Sequence, residues 1–347
     1  MNGTDYRVGV AGASTLAGKE LAEVLGESQL TVGELVLVDE GAAGKLEAAG
    51  DEALVVQEIE ANSFERMDFV FFAGEAELAR KYWLNARRSG AAIVDMTYAL
   101  EGERDVLVRA PWVVEALGET RVVGPDLRTP AVVGAHPGAV MLGLVGARLM
   151  AGFGVRGMAA TVMEPASEHG RPAMDELHHQ TVSLLSFQAL PKEQYDAQVA
   201  FNVLPSLGEA AKVRLAAAEQ RIRGHYAIIG EGRLPELALQ LANAPVFHGY
   251  VATVFVELNE AVTEEQIETA LQGEHLDVVL GEQDPPTNVS ASGQEDVLVR
   301  VRMEPPGAVE SKRFWLWLGA DNLKIAAQNA VACAMELKRL RPLGTVQ

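Results

Sequence analysis

The stretch GVAGASTLAGKEL, residues 9–21, decides the fold of the first part of the chain. It overlaps a short apolar run, RVGVA at residues 7–11, and sets Gly9, Gly12 and Gly18 ahead of a segment with helical periodicity. Glycines at such a turn let the backbone approach a phosphate, and the first turn of the helix presents free N–H groups to it. A strand, a glycine turn and a helix in this order predict a nucleotide-binding unit. The alternative is a turn that only packs the helix against the sheet.

The alternation of strand and helix continues through the first 130 residues. Near-continuous apolar runs are typical of strands buried on both faces of a parallel sheet. Further apolar runs of this kind predict strands at residues 35–38, 68–73, 91–95 and 121–123. Helices are predicted between the strands, at residues 16–25 and 75–89. This order predicts an α/β fold with a Rossmann-like doubly wound parallel sheet.

Beyond residue 130 the pattern changes to longer strands and helices. Strands are predicted at residues 155–163 and 251–258, and helices at residues 172–188, 209–223 and 323–340. Thr263 and Gln266 have the spacing of a capping box at the start of a further short helix. We therefore predict a second, α+β domain with a mainly antiparallel sheet. The expected domains are residues 1–130 with 321–347 for dinucleotide binding, and 131–320 for substrate binding and dimerisation.

Composition limits the classes of function. The chain has 347 residues, 48% hydrophobic and 22% charged, which is typical of a globular protein with more than one core. Its formal net charge of −19 argues against nucleic acid and anionic membranes as partners, because phosphate groups require Lys and Arg. The single Cys333 excludes a disulfide framework, and the amino terminus lacks an apolar signal core. Together these features predict a cytoplasmic protein.

A predicted cofactor site follows from the glycine turn and the end of the second strand. Its residues are Gly12, Ser14, Thr15, Leu16, Gly18 and Asp39. Thr15 occupies the middle glycine position, where its side chain limits close approach although its hydroxyl could donate to a phosphate. Asp39 stands where a carboxylate accepts from ribose hydroxyls and repels a 2′-phosphate, so NAD is favoured over NADP. Alternatively, Asp39 only caps the strand end in solvent.

A second turn, VVGAHPGAVML at residues 132–142, has the form on which enzymes present a reactive side chain. Gly134, Pro137 and Gly138 crowd this turn, yet it contains neither Cys nor Ser. We interpret its His136 as a turn histidine bonded to the backbone, because no carboxylate that could orient a catalytic base stands nearby in the sequence. The turn is therefore expected to be structural.

Several stretches together carry a family likeness. They are VAGASTLAG (10–18), AGK (43–45), FVFFAG (69–74), GAAIVD (90–95), SEHGRPAMDEL (167–177), AFNVLP (200–205) and DNLKIAAQNAV (321–331). On these motifs the chain resembles the aspartate-semialdehyde dehydrogenase family over nearly its whole length. The resemblance implies a homodimer that uses a nicotinamide dinucleotide, and a reaction in which a Cys thiolate forms a thioester with the substrate.

At the positions that carry this chemistry the chain departs from the family pattern. Gly138 stands where the family has its Cys nucleophile, and Tyr250 stands where it has its acid–base His. Four further positions are equivalent to the family's substrate pocket. Glu101 replaces a phosphate-binding Arg, and Asn243 replaces a substrate-binding Arg. Glu164 replaces a Gln, whereas Glu219 matches a Glu of the family. The resemblance therefore assigns no catalytic residue to this chain.

Smaller departures point the same way. Ile222 replaces a Lys, although Arg221 or Arg223 could shift into its place, and Gly41 replaces an Arg of NADP-dependent members. The losses match those of a Cys-less group of paralogues in this family, the Usg proteins. They predict a non-catalytic or functionally diverged homologue for which NAD or NADP is a possible cofactor. The alternative is an oxidoreductase that acts with NAD(P) on the aldehyde or carbonyl group of a different donor.

The remaining polar residues predict no metal site. His178 and His179 are adjacent on a predicted helix, so they do not share a face, and no second His stands three or four residues away. Glu164, Glu168 and His169 could form a charged pocket, but we favour a surface or interface charge network. A second copy of the chain and a small-molecule ligand are the possible partners.

Overall fold

The computed structural model describes residues 5–50, 52–118 and 131–340. These residues form two compact units, with 5–111, 131–135 and 326–340 in the first and 112–118 and 136–325 in the second. The division falls between Ala135 and His136, inside the turn at residues 132–142. The domain boundaries expected from the sequence stay a prediction.

The first unit is built on a parallel sheet. Its strands and helices are β1 (Tyr6–Ala11), α1 (Leu16–Glu27), β2 (Val32–Asp39), β3 (Leu46–Ala49), β4 (Glu52–Val55), β5 (Gln57–Glu58), β6 (Phe69–Phe72), α2 (Ala76–Arg88), β7 (Ala92–Asp95), β8 (Leu107–Arg109) and β9 (Ala131–Gly134). Within the described residues the sheet has the order β5-β2-β1-β6-β7-β9-β8, and each of these pairings is parallel. β3 and β4 form a separate antiparallel pair. The predicted Rossmann-like sheet is confirmed.

The second unit is built on a mixed sheet. Its elements, preceded by α3 (Pro111–Ala116), are α4 (Pro137–Gly152), β10 (Val155–Glu164), α5 (Gly170–Leu185), α6 (Leu215–Gly230), β11 (Leu237–Asn243), β12 (Tyr250–Val262), α7 (Glu264–Leu271), β13 (Leu276–Val278), α8 (Asn288–Ala291), β14 (Val297–Glu304), β15 (Ser311–Ala320) and the start of α9 (Asn322–Leu340). The strand order is β11-β10-β12-β15-β14-β13. The central pairings are antiparallel and the outermost ones parallel, which confirms a mainly antiparallel sheet.

A buried ion pair lies inside the first unit. Arg109, at the end of β8, donates from Nε and Nη2 to the two carboxylate oxygens of Glu336 on α9, at 2.8 and 2.6 Å. Only 8% of the Arg109 side chain and 16% of the Glu336 side chain are exposed. Asn329, further up α9, donates to the backbone oxygen of Arg109 at 3.3 Å. These bonds fasten the later part of α9 to the edge of the sheet.

The helix predicted at residues 209–223 is wrong at its start, because α6 begins only at Leu215. The backbone N–H groups of Lys212 and Val213 both donate to the backbone oxygen of Gln194, at 2.8 and 3.0 Å. These tertiary bonds replace helical ones, so the apolar periodicity of the segment does not decide its conformation.

Strands β11, β14 and β15 have no counterpart among the predicted elements. Buried and partly exposed residues alternate along β14, as expected of an antiparallel strand with one open face, and a continuous apolar run is therefore missing. The strand predicted at residues 121–123 lies outside the described residues.

Candidate functional site

The glycine turn joins β1 to α1 by a close approach of backbone to backbone. Gly12 has a φ of +87°, and a Cβ added to it would overlap backbone atoms of Gly74. A Cβ on Gly18 would overlap the backbone oxygen of Gly12. Both positions therefore require glycine. Leu16 begins α1, so its N–H group has no acceptor within the helix and points out of its amino terminus.

Thr15 is the amino-terminal cap of α1. Its hydroxyl lies 2.7 Å from the backbone oxygen of Ala73 and 2.8 Å from that of Gly12, and it accepts from the Gly18 N–H group at 3.0 Å. The hydroxyl proton is thus used in a hydrogen bond to the backbone of the chain and is not directed at a phosphate. The Oγ atom of Ser14 differs, because it is buried and has no hydrogen-bond partner among the described residues. Ser14 is therefore the hydroxyl of this turn that suits a ligand.

The Asp39 carboxylate is bound to the glycine turn. It accepts from the Ser14 N–H group and from the Glu40 N–H group, each at 2.9 Å. Only 9% of Asp39 is exposed, so the interpretation of a strand cap in solvent is wrong. A second carboxylate lies beside it, since β2 and β5 pair Asp39 with Glu58. Both oxygens of Glu58 accept from the Gly41 N–H group, at 3.1 and 3.2 Å.

Glu58 is absent from the predicted site because β5 has only two residues and shows no apolar pattern. Its place next to Asp39 depends on the pairing of β5 with β2, which residue spacing does not reveal.

His136 caps the amino terminus of α4 at the second turn. Its Nδ1 accepts from the Gly138 N–H group at 3.2 Å, and its backbone N–H donates to Nδ1 of His225 at 2.8 Å. Since Nδ1 accepts, the ring proton is on Nε2, which lies 3.2 Å from Oε1 of Glu168. Burial and the nearby positive charges of His225, Arg221 and His169 lower the pKa of His136. The prediction of a turn histidine is confirmed, but a carboxylate does orient the ring.

Gly138 is the second residue of α4, and its surroundings are closed. A Cβ added to it would lie 3.1 Å from Cδ1 of Ile222 and 3.4 Å from Nδ1 of His136. The chain's single Cys333 lies in the first unit, buried, with Sγ 3.6 Å from the backbone oxygen of Arg109. Burial raises the pKa of this thiol. Cys333 is therefore a buried thiol packed against the backbone of Arg109.

Polar side chains end neighbouring strands of the second sheet on its covered face. β10 and β11 pair Glu164 with Asn243, and the register that pairs Met163 with Val251 brings Tyr250 opposite Glu164. The exposed fraction is 0% for Glu164, 1% for Asn243 and 0% for Tyr250. The neighbouring buried residues on this face are apolar, among them Val162, Leu241 and Ala252, so these polar residues form one end of an apolar layer.

A short 3₁₀-helix, Ala166–His169, adds two charged residues to this end of the sheet. Nε2 of His169 lies 2.8 Å from Oε2 of Glu164. Glu168 accepts from Nδ2 of Asn322 at 3.0 Å, and Tyr250 lies close enough to Glu168 to lower its pKa. We call Glu164, Glu168, His169, Asn243 and Tyr250 the interior polar cluster. Glu164 is buried, and 11% of the Glu168 side chain and 16% of the His169 side chain are exposed, so this charge network lies mostly below the surface of the chain, and an interface network stays a prediction.

The cluster changes the acid–base behaviour of its members. Burial and the charge of Glu164 raise the pKa of Glu168 to about 7. Burial lowers the pKa of His169, but Glu164 outweighs it by its charge and its hydrogen bond, so the net shift is upward. Glu168 therefore exchanges a proton near neutral pH, as groups at functional sites often do.

The other predicted pocket residues lie elsewhere. Glu219 on α6 accepts from the Leu241 N–H group at 2.9 Å and from Arg223 at 3.0 Å, so it fastens α6 to β11. Glu101 lies in the first unit, exposed, in the turn after β7. Of the substrate-pocket equivalents, the structure thus brings together Glu164 and Asn243.

Replacing Glu168 by Gln should change how stability depends on pH. The pKa of Glu168 is about 7 in the folded chain and ordinarily 4.5, so the folded state holds a proton that the unfolded state releases between these values. The stability contribution of this group is complete below pH 4.5 and is lost as the pH rises to 7. At about 1.4 kcal/mol per pKa unit, the loss is on the order of 3 kcal/mol.

Urea unfolding at pH 5 and pH 8 measures this difference. Glu168→Gln should lose less stability than the native chain on going to pH 8. Glu23→Gln, an exposed change on α1, should follow the native chain. Parallel pH curves for native chain and Glu168→Gln would contradict the raised pKa.

Metal binding and membrane insertion have no support in the described ranges. No group of three or more His, Cys, Asp or Glu residues that could hold a metal ion occurs there, and His178 and His179 are exposed on α5. Nor does any helix in that part of the chain combine the length and apolar character needed to cross a membrane.

Comparison with known proteins places this geometry in a family. The semialdehyde dehydrogenase NAD-binding domain matches residues 7–120, and the semialdehyde dehydrogenase dimerisation domain matches residues 147–325. A USG-1 protein homolog from Pseudomonas aeruginosa is 30% identical over 333 residues, which cover 93% of this chain and 95% of the relative.

Solved structures show the same architecture. A probable aspartate-semialdehyde dehydrogenase from Pseudomonas aeruginosa has a TM-score of 0.82 at 28% identity, covering 96% of this chain and 98% of its own. Aspartate semialdehyde dehydrogenase II from Vibrio cholerae, complexed with ASA, also reaches 0.82, at 25% identity and with the same coverage. The sequence and the fold agree over both units, and the chain therefore belongs to the semialdehyde dehydrogenase family, with that family's NAD-binding and dimerisation domains.

Proposed function

We propose that this chain binds a nicotinamide dinucleotide but does not carry out the thioester chemistry that its family resemblance implies. The observation that carries the proposal is the turn at Gly138. A Gly offers no nucleophile, and Ile222 packs closely against this position, with its Cδ1 3.1 Å from an added Cβ. The position of the acid–base His holds Tyr250, whose side chain is buried close to Glu168.

The polarity of the second unit supports the same conclusion. The family pattern places an Arg for an anionic substrate group at the position of Asn243, and here that position is a neutral amide. Glu164 lies beside it and adds negative charge in a buried place. A carboxylate or phosphate would therefore be repelled where the family reaction needs it held.

The first unit retains what a dinucleotide requires. Gly12 and Gly18 have no side chains, so the backbone of the turn can approach a ligand closely. The amino terminus of α1 supplies N–H groups and a positive dipole, and the Ser14 hydroxyl is available for a hydrogen bond. Asp39 and Glu58 lie side by side at the ends of their strands, so a 2′-phosphate would meet two negative charges. We propose NAD as the preferred cofactor.

Titration calorimetry with NAD and NADP tests the cofactor part of the proposal. NAD should bind at least tenfold more tightly, a difference of about 1.4 kcal/mol. Glu58→Gln should narrow the preference, whereas Glu77→Gln, an exposed change on α2, should leave it unchanged. Tighter binding of NADP would refute the assignment.

Turnover tests the non-catalytic part. The purified chain, given aspartate semialdehyde, phosphate and either dinucleotide, should produce no change in absorbance at the wavelength of the reduced nicotinamide. Steady turnover by the chain would refute the proposal, whatever the binding measurements show.

A second candidate is an oxidoreductase for a different carbonyl compound. The observation in its favour is that Glu168 has a pKa of about 7 and lies close to Tyr250, so Glu168 can release a proton near neutral pH. Carbonyl reduction requires a hydride from the dinucleotide and a proton for the oxygen. NADH oxidation across a panel of aldehydes and ketones would establish it, provided that Glu168→Gln abolishes the rate.

We further propose that the chain forms a homodimer through its second unit. The matching family domain is described as a dimerisation domain. The same unit exposes large apolar side chains, with Phe187 98%, Leu185 70% and Phe201 66% exposed. Burial of such surface stabilises an interface. Sedimentation velocity should give twice the mass of one chain, and Phe187→Asp should shift the mass toward that of the single chain.

A further inference from the structure

The interior polar cluster contains hydrogen-bond acceptors that the chain itself leaves unmatched. Among the described residues, Oε1 of Glu164 and Oδ1 of Asn243 are buried and have no hydrogen-bond partner. Because β10 and β11 pair these two residues in parallel register, their side chains are neighbours on one face of the sheet. Leaving buried acceptors unmatched costs free energy, so a group that can donate to both is expected between them.

The charges around these acceptors favour a positive group. Glu164 and Glu168 are close enough for the first to raise the pKa of the second, which means that two carboxylates compete in a buried place. His169 balances part of this charge through Oε2 of Glu164. Arg221 is near His136, whose pKa it helps to lower, and His136 itself is neutral there. A further cation at Oε1 of Glu164 would relieve the repulsion between the carboxylates.

From this arrangement we propose that the interior polar cluster binds the ammonium group of a small amine, with Oε1 of Glu164 and Oδ1 of Asn243 as its acceptors. The proposal rests on the proposed function in one respect, namely that the second unit no longer holds an anionic substrate. An amine is the class of ligand that Glu164 and Asn243, the residues that differ from the family pattern, would select. An anion offers no proton to either oxygen, and an alcohol or a water molecule would match the hydrogen bonds but not the charge.

The test uses the full chain without any dinucleotide. Ethylammonium chloride, ethanol and sodium acetate are added separately at constant ionic strength, and the histidine C–H resonances are followed by NMR across pH. Ethylammonium should bind saturably and lower the pKa of His169, because the two cations share Glu164. The resonances of His178 and His179, exposed on α5, should not move and serve as internal references. Ethanol and acetate should leave His169 unchanged.

Two variants locate the effect. Asn243→Leu and Glu164→Gln should each weaken ethylammonium binding at least tenfold, the first by removing an acceptor and the second by removing the charge. Asn85→Leu, on α2 of the first unit, is the matched control and should bind as the native chain does. The resonances of the buried His136 and His225 report whether each variant is folded, and Glu164→Gln, being nearly isosteric, keeps the test valid if Asn243→Leu does not fold.

Three results would overturn the proposal. They are a shift of His169 by acetate, an equal shift by ethanol and ethylammonium, and unchanged ethylammonium binding in folded Glu164→Gln. Because dinucleotide is absent throughout, failure here leaves the NAD titration standing, and failure of the NAD titration leaves this result standing.

Discussion

Arg109→Ala should lower the free energy of unfolding by about 3–5 kcal/mol, among the largest losses that a single substitution can cause in this chain. The change leaves the Glu336 carboxylate, of which only 16% is exposed, without the guanidinium that binds both of its oxygens. A buried charge without its partner costs more than the pair contributed. Urea unfolding followed by circular dichroism measures the loss.

The double variant Arg109→Met with Glu336→Leu separates this cause from lost packing. Because it removes both charges together, it should be clearly more stable than Arg109→Ala. Arg80→Ala breaks the exposed pair with Glu77 and should cost no more than about 0.5 kcal/mol. If Arg109→Ala and Arg80→Ala proved equally mild, the ion pair would have no special role in fastening α9.

Gly12→Ala should destabilise the first unit by about 3 kcal/mol and abolish NAD binding. A φ of +87° costs a non-glycine residue roughly 1–2 kcal/mol. The added Cβ would also overlap backbone atoms of Gly74, which cannot rotate away as a side chain can. Overpacking of this kind costs about 1–3 kcal/mol more. Unfolding and NAD titration of the same preparation give both quantities.

Gly41→Ala is the matched control, because Gly41 has a φ of +64° and nothing lies within 4 Å of an added Cβ. It should show only the conformational cost, roughly 1 kcal/mol. The difference between the two variants is then the effect of crowding against Gly74. Equal losses would mean that the close approach of the two backbones does not constrain the turn.

The fold was predictable from the sequence because its signals are local. Apolar runs such as those of β6 and β7 are buried on both sides, and the spacing of Gly12 and Gly18 reports a turn whose geometry a side chain would block. Open-faced strands such as β14 were missed, and α6 was predicted to begin too early, because the bonds that decide those segments come from distant residues.

The sequence by itself determined which chemical groups are present: no thiol at Gly138, a phenol at Tyr250, an amide at Asn243 and a carboxylate at Glu164. Only the tertiary structure decided which of them meet. Strand register set Glu58 beside Asp39 and Glu164 beside Asn243, and a 3₁₀-helix brought Glu168 to His136. The physical reason is that a contact between residues far apart in the chain depends on which strands pair and in which register, and a short polar strand such as β5 has no apolar pattern that would specify its register.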